Sequence, residues 1–199
     1  MYRVSFILFF VLLISSCAKK QLEPKELLEF IEDDSNGFVQ TKTIDEYTFK
    51  VMYQPIEYIV LKEIKDNILT KKIIEEKKKE LDNLQYFLLE IEIPSEKGDL
   101  LKYNLTDNNE YYYRLKYFSF DMQNDIQLIE NKDTLPCVLY HFERTYGLTS
   151  KCKITLAFEN SPKTNTNKIF VLNENVLGVG IVKLQFDYKE LLNIPELKL

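Results

Sequence analysis

Tyr86-Phe87-Leu88-Leu89-Glu90-Ile91-Glu92-Ile93 reads as a strand: Phe87, Leu89, Ile91 and Ile93 fall on one face, Glu90 and Glu92 on the other. Pro94 and Gly98 close it. The same period of two recurs on both sides. Upstream, residues 38–44 and 46–53 form a hairpin in which Tyr47, Phe49, Val51 and Tyr53 alternate with Thr48, Lys50 and Met52. Downstream, residues 125–130, 137–145, 152–159, 168–172 and 179–188 read as short strands. Polar turns such as Glu130-Asn131-Lys132-Asp133 and Ser161-Pro162-Lys163-Thr164-Asn165 separate them. Repeated short strands with turns between them point to a sandwich.

Helices occupy the first half. Pro24 suits a first helical position, Leu27, Leu28 and Ile31 share one face, and Ser35-Asn36-Gly37 stops the segment. From Pro55 to Leu69 the residues Leu61, Ile64 and Ile68 recur at helical spacing. Residues 71–84 follow, rich in helix formers, with Glu75 and Lys79 placed as an i,i+4 pair. One bent helix and two short ones both fit. Asp107 and Glu110 are spaced as a capping box before residues 111–120, where Tyr111, Leu115 and Phe118 share a helical face; the same segment also alternates as a strand would. Pro195 limits any helix in residues 189–199 to one turn. The expected fold class is α+β, a β-sandwich or strongly bent antiparallel sheet with the helices of the first half packed on it, forming one domain over residues 24–199.

The amino terminus specifies location. Arg3 supplies a positive start, Phe6 to Ile14 an apolar run, and Ser15 and Ser16 are small residues before Cys17. The run is shorter than the roughly 18 apolar residues that span a bilayer. Ile14-Ser15-Ser16-Cys17 resembles a lipobox, and the segment resembles the signal peptide of bacterial lipoproteins. With the Lys, Ile and Asn bias of the chain, it resembles lipoproteins of Bacteroidota-type bacteria. The resemblance implies a signal peptide over residues 1–16, acylation of Cys17, and a lipidated tether over residues 17–23. Ala18, in place of the Asp that retains many such proteins in the inner membrane, implies outer-membrane sorting. Lys19, Lys20 and Gln21, where surface-exported lipoproteins often carry acidic residues, favour the periplasmic face over the cell surface. Asp133-Thr134-Leu135 resembles the short O-glycosylation acceptor of the same bacteria, which makes Thr134 a candidate site.

Cleavage before Cys17 leaves 183 residues and takes the basic count from 26 to 25 against 31 acidic residues, about −6. That balance argues against nucleic acid, as does the mixing of Lys and Glu in the densest charged stretch, residues 71–80. No catalytic motif emerges. The chain has no G-x-S-x-G, no HExxH and no paired CxxC, and its five glycines are scattered. His141, the only histidine, lacks a second ligand or a base partner in sequence and is read as structural or exposed. No cofactor and no metal are expected.

Cys137 and Cys152 would begin the two strands of a hairpin and so lie at opposite ends, roughly 20 Å apart at about 3.4 Å per residue, beyond the ~7 Å reach of a disulfide. They are read as small buried hydrophobes; a bridge would require that the two segments are not partners. Tyr111-Tyr112-Tyr113 with Tyr117, Phe118 and Phe120 is read as core packing, with a sugar or protein contact surface as the alternative. The expected role is therefore a lipid-anchored envelope protein, not an enzyme, that binds or scaffolds. Its partners are the membrane, through the lipid on Cys17, and an envelope protein. The alternatives are an outer-membrane lipoprotein component of a secretion machine and a periplasmic hydrolase.

Overall fold

The computed structural model describes residues 20–64, 69–160 and 165–199. The leader, Cys17, Ile68 and residues 161–164 lie outside the described residues.

The elements run β1 (Gln21–Leu22), α1 (Pro24–Glu32), β2 (Val39–Ile44), β3 (Tyr47–Gln54), α2 (Ile56–Glu63), α3 (Lys71–Leu81), β4 (Leu84–Glu92), α4 (Asn108–Ser119), β5 (Ile126–Glu130), β6 (Asp133–Glu143), β7 (Lys151–Glu159), β8 (Lys168–Glu174), β9 (Gly180–Phe186), α5 (Tyr188–Leu192) and β10 (Glu196–Leu197). Eight strands form one antiparallel sheet in the order β2-β3-β4-β7-β6-β5-β8-β9. Its two end strands, β2 and β9, approach within 8 Å of each other, Cα to Cα, so the sheet is strongly curled and nearly closed. The α+β class with a bent antiparallel sheet and helices packed on it is what the chain adopts.

Strand β4 shows why. Gln85, Phe87, Leu89 and Ile91 all point inward and are buried, and each sits opposite an inward residue of β7: Phe158, Leu156, Ile154 and Cys152. On the outer face Glu90 and Glu92 reach Lys153 at 3.3 Å and Lys151 at 2.8 Å across the same ladder. The inner faces meet through aromatic rings. Phe87 lies 5.6 Å from Phe186 of β9 and 5.3 Å from Tyr53 of β3, ring centroid to centroid, which joins the two halves of the curl.

The 55–84 region resolves as two helices. Thr70 caps the second, its Oγ1 accepting from the Ile73 N–H at 3.3 Å. The expected Glu75–Lys79 pair is not among the ion pairs of the described residues. Within α3 the pairs are Lys72–Glu76 at 3.8 Å and Lys77–Glu80 at 2.9 Å, and toward α2 Lys78 reaches Glu57 at 2.6 Å and Lys77 reaches Glu63 at 3.6 Å. Residues 111–119 are helical, not extended, and Phe120 is the cap that ends α4. Asp107 Oδ1 accepts from the N–H groups of Asn109 and Glu110 at 2.7 and 2.9 Å, satisfying amides that a helix start leaves unpaired. Glu110 does not return to Asp107 as a capping box would. Its carboxylate accepts from the Thr106 N–H and hydroxyl.

Some short elements were not anticipated. β1 and β10 pair in parallel, Gln21 with Glu196 and Leu22 with Leu197, so residues 21–22, expected in the tether, belong to the folded body. A one-turn 3-10 helix (Asp121–Asp125) follows α4 directly.

Candidate functional site

Strand β6 is the anomaly of the sheet. It stands in the middle of the strand order, yet among its eleven residues only Cys137 is buried. The pairing explains this. Residues Asp133 to Pro136 ladder with β5, and the last rung is Gln127 opposite Pro136, which has no N–H to offer. Cys137 to Glu143 then ladder with β7 alone. Between the two halves a bulge at Val138 shifts the register. Before it the inward residues are Leu135 and Cys137; after it they are Tyr140 and Phe142, opposite Leu156 and Ile154.

Where β5 would have continued beside β6, the chain instead turns through the 3-10 helix into α4. Three contacts hold this corner. Gln123 Nε2 donates to the Cys137 carbonyl at 2.9 Å, the Tyr140 hydroxyl donates to the Phe118 carbonyl, and the rings of Phe118 and Phe142 lie 5.8 Å apart. Burial pushes the Tyr140 hydroxyl upward, so it stays a proton donor across the physiological range. Beyond these contacts the corner leaves an open cleft of about 650 Å³, lined by Ser119, Phe120, Tyr140, His141, Phe142 and Arg144 among others. That volume is within the range of ligand pockets, roughly 300–1,000 Å³. Phe120 on its wall keeps 70% of its surface, and on β6 nearby Val138 and Leu139 are also exposed. Arg144 has no ion pair among the described residues, and its guanidinium stacks over the Tyr146 ring at 4.7 Å.

The residues singled out from sequence are scattered. Cys17 lies outside the described residues. Thr134 is exposed on β6, two residues past the Asn131-Lys132 turn; it is opposite Ile129 in the ladder rather than in the turn itself. His141 is exposed on the outer face of β6. Cys137 and Cys152 are free and buried, Cys137 standing opposite Phe158, six residues along β7 from Cys152. Burial pushes their thiols up to about 11 and about 12 respectively. Among the described residues no cluster of three His, Cys, Asp or Glu side chains is arranged to hold a metal ion.

The aromatic cluster divides instead of packing as a whole. Tyr117 and Phe118 are buried, whereas Tyr112 and Tyr113 on α4 and Phe120 at its end are exposed. The core reading therefore fails for half of the cluster, because α4 has only one face against the sheet. Phe120 and Arg144 have no mutual signal in sequence. Pro136 inside a strand, and the short segment between Phe120 and Ile126, were the readable hints that a ladder ends there.

Two buried acids have structural duties. Glu174, with no exposed surface, accepts from the N–H groups of Val176 and Leu177 at 2.7 and 2.6 Å and so fixes the β8–β9 connection. Glu130 pairs with Lys168 across the β5–β8 ladder. Neither lines the cleft at the β6 corner.

Among the described residues no helix is long and apolar enough to cross a membrane. No protein-family model, no curated protein and no solved structure matches this chain.

Proposed function

We propose that the protein is a lipid-anchored component of the cell envelope, held by acyl chains on Cys17 in the outer membrane and facing the periplasm, with a binding or scaffolding role. The observation that carries this reading is the run from Arg3 through the apolar segment to Ile14-Ser15-Ser16-Cys17. One acyl chain gives only marginal membrane residence, whereas two or more give stable attachment. The β1–β10 pairing is consistent with it and makes it more specific. Gln21 is already laddered, so four residues at no more than about 3.6 Å each connect Cys17 to the folded body, roughly 14 Å. A body so close to its lipid acts at the membrane surface and has little reach across the periplasm.

What supports a binding role is the β6 corner, where an exposed Phe120, a cleft and an arginine without an ion pair among the described residues coincide. The test is metabolic labelling with a fatty-acid analogue, comparing the wild type with Cys17→Ala and fractionating the membranes. Label that depends on Cys17 and recovers with the outer membrane supports the reading. Equal labelling of both, or none in either, overturns it.

A further inference from the structure

We propose that the unladdered edge of β6 beyond Pro136 receives an extended polypeptide segment of another protein by strand addition, with a carboxylate of that segment against Arg144.

The backbone makes the first case. A strand laddered on one side presents N–H and C=O groups along its other side, and these are a template for a further strand. Cys137 to Glu143 has β7 on one side only. On the other side the 3-10 helix and the end of α4 take up the Cys137 carbonyl through Gln123, and the cleft opens past that point toward Arg144. At about 3.4 Å per residue, the stretch from Leu139 to Glu143 matches a guest of some four or five residues.

The side chains make the second case. Apolar side chains are exposed on this strand and beside it, Val138 and Leu139 on β6 and Phe120 at the end of α4, and its charges, Glu143 and Arg144, stand at its far end. Alternate side chains of a guest strand would lie over Phe120 and Phe142 on one face, and beside Leu139 and His141 on the other. The third case is charge. The chain carries an acidic excess, and most lysines of the described surface are paired, for example Lys50 with Asp34, Lys62 with Glu32 and Lys116 with Asp121. Arg144 is held over Tyr146 with its donors unclaimed by any acid of the described residues. A planar fork so placed suits a carboxylate, and it stands where a guest strand would leave the cleft.

The proposal deepens the binding role above and does not depend on the lipid. It is tested with the full chain in detergent micelles, both as wild type and as Cys17→Ala, screened against a displayed library of random decapeptides. The expected result is enrichment of peptides that lack proline, carry Asp or Glu and bind both forms equally. Arg144→Glu should weaken them at least about tenfold, with Phe120→Ser weakening them less. Bound peptide should slow amide hydrogen exchange in residues 138–143. Both substituted side chains are exposed, and an unchanged melting temperature verifies the fold.

Three results overturn the proposal. The first is a library that enriches nothing over the Arg144→Glu protein. The second is enriched peptides that protect amides elsewhere or tolerate a central proline. The third is a dimer of this chain that buries the same edge and is broken by Arg144→Glu, which would make the occupant a second copy. Failure of fatty-acid labelling with intact peptide binding would remove the anchor and leave the edge site standing.

Discussion

Removing the amine of Lys168 should destabilise the fold more than removing any surface lysine. Glu130 and Lys168 are opposite each other on β5 and β8, on the inner face that also carries Leu128 and Phe170. The Glu130 side chain is 2% exposed and that of Lys168 14%, and the ammonium lies 5.9 Å from the centre of the Tyr53 ring. Lys168→Met keeps the aliphatic stem but strands a carboxylate that water scarcely reaches; breaking a buried pair from one side costs about 3–5 kcal/mol. Glu130→Leu should cost less, about 2 kcal/mol, because the stranded Lys168 ammonium keeps some path to solvent. Replacing both, Glu130→Leu with Lys168→Met, removes both desolvation penalties together and should return within about 1 kcal/mol of wild type. Urea unfolding of the four proteins closes a double-mutant cycle, with an expected coupling of at least about 4 kcal/mol, far above the ~0.5 kcal/mol of independent sites. The coupling should change little between low and 1 M salt, because the pair is buried. An exposed pair such as Lys25–Glu29, 3.8 Å apart, should show almost none. A Lys168→Met protein within about 1 kcal/mol of wild type, or a double variant as unstable as the two single losses added, would refute the reasoning.

Burial raises both free thiols and the Tyr53 hydroxyl, the last to about 12, so the folded state holds these protons more tightly than the unfolded chain does. Their stabilising effect is complete below about pH 8.5, where an unfolded thiol begins to ionise, and is lost as pH rises toward about 12. The urea midpoint should therefore be lower at pH 10 than at pH 7, and a midpoint that rises refutes the assignment. At pH 8 neither Cys137 nor Cys152 should react with a disulfide reagent until the protein unfolds. Asp107→Ala should cost about 1 kcal/mol, measured as a lower melting temperature, since two amides at the start of α4 lose their acceptor. A change under about 0.3 kcal/mol would mean that water replaces the cap fully.

What was legible in the sequence was whatever a local period encodes. The strand around Phe87 and Leu89 could be placed because its two faces meet such different surroundings, the ring of Phe186 on one side and the ammonium of Lys153 on the other. The opposite ends of Cys137 and Cys152 followed from antiparallel geometry alone. The α4 segment was ambiguous because its tyrosines satisfy both periods; Asp107 decides it, by offering the backbone amides a partner that only a helix start requires. The β1–β10 pair was not legible. Two residues at one end of the chain pair with two near the other, and neither dipeptide, Gln21-Leu22 or Glu196-Leu197, is long enough to show a period.

The β6 corner was hidden for a different reason, and that reason bears on what the site is for. The alternation that sets Tyr140 and Phe142 opposite Leu139 and His141 holds, but the bulge at Val138 changes the parity ahead of it, so the inward set passes from Cys137 to Tyr140 and Phe142. A bulge leaves no mark in a hydrophobic pattern unless one face is wholly buried, and here both faces of β6 are partly open. That openness is the point: had β5 run on past Pro136, its ladder would have covered the edge, and Val138 and Leu139 would have lain in the middle of a continuous sheet. Instead Pro136 ends the ladder, the chain folds away through Asp121–Asp125 into α4, and Phe120 stands at the mouth of the gap. One more strand in that gap would continue the ladder that Pro136 interrupts, beside the packed rings of Phe118 and Phe142.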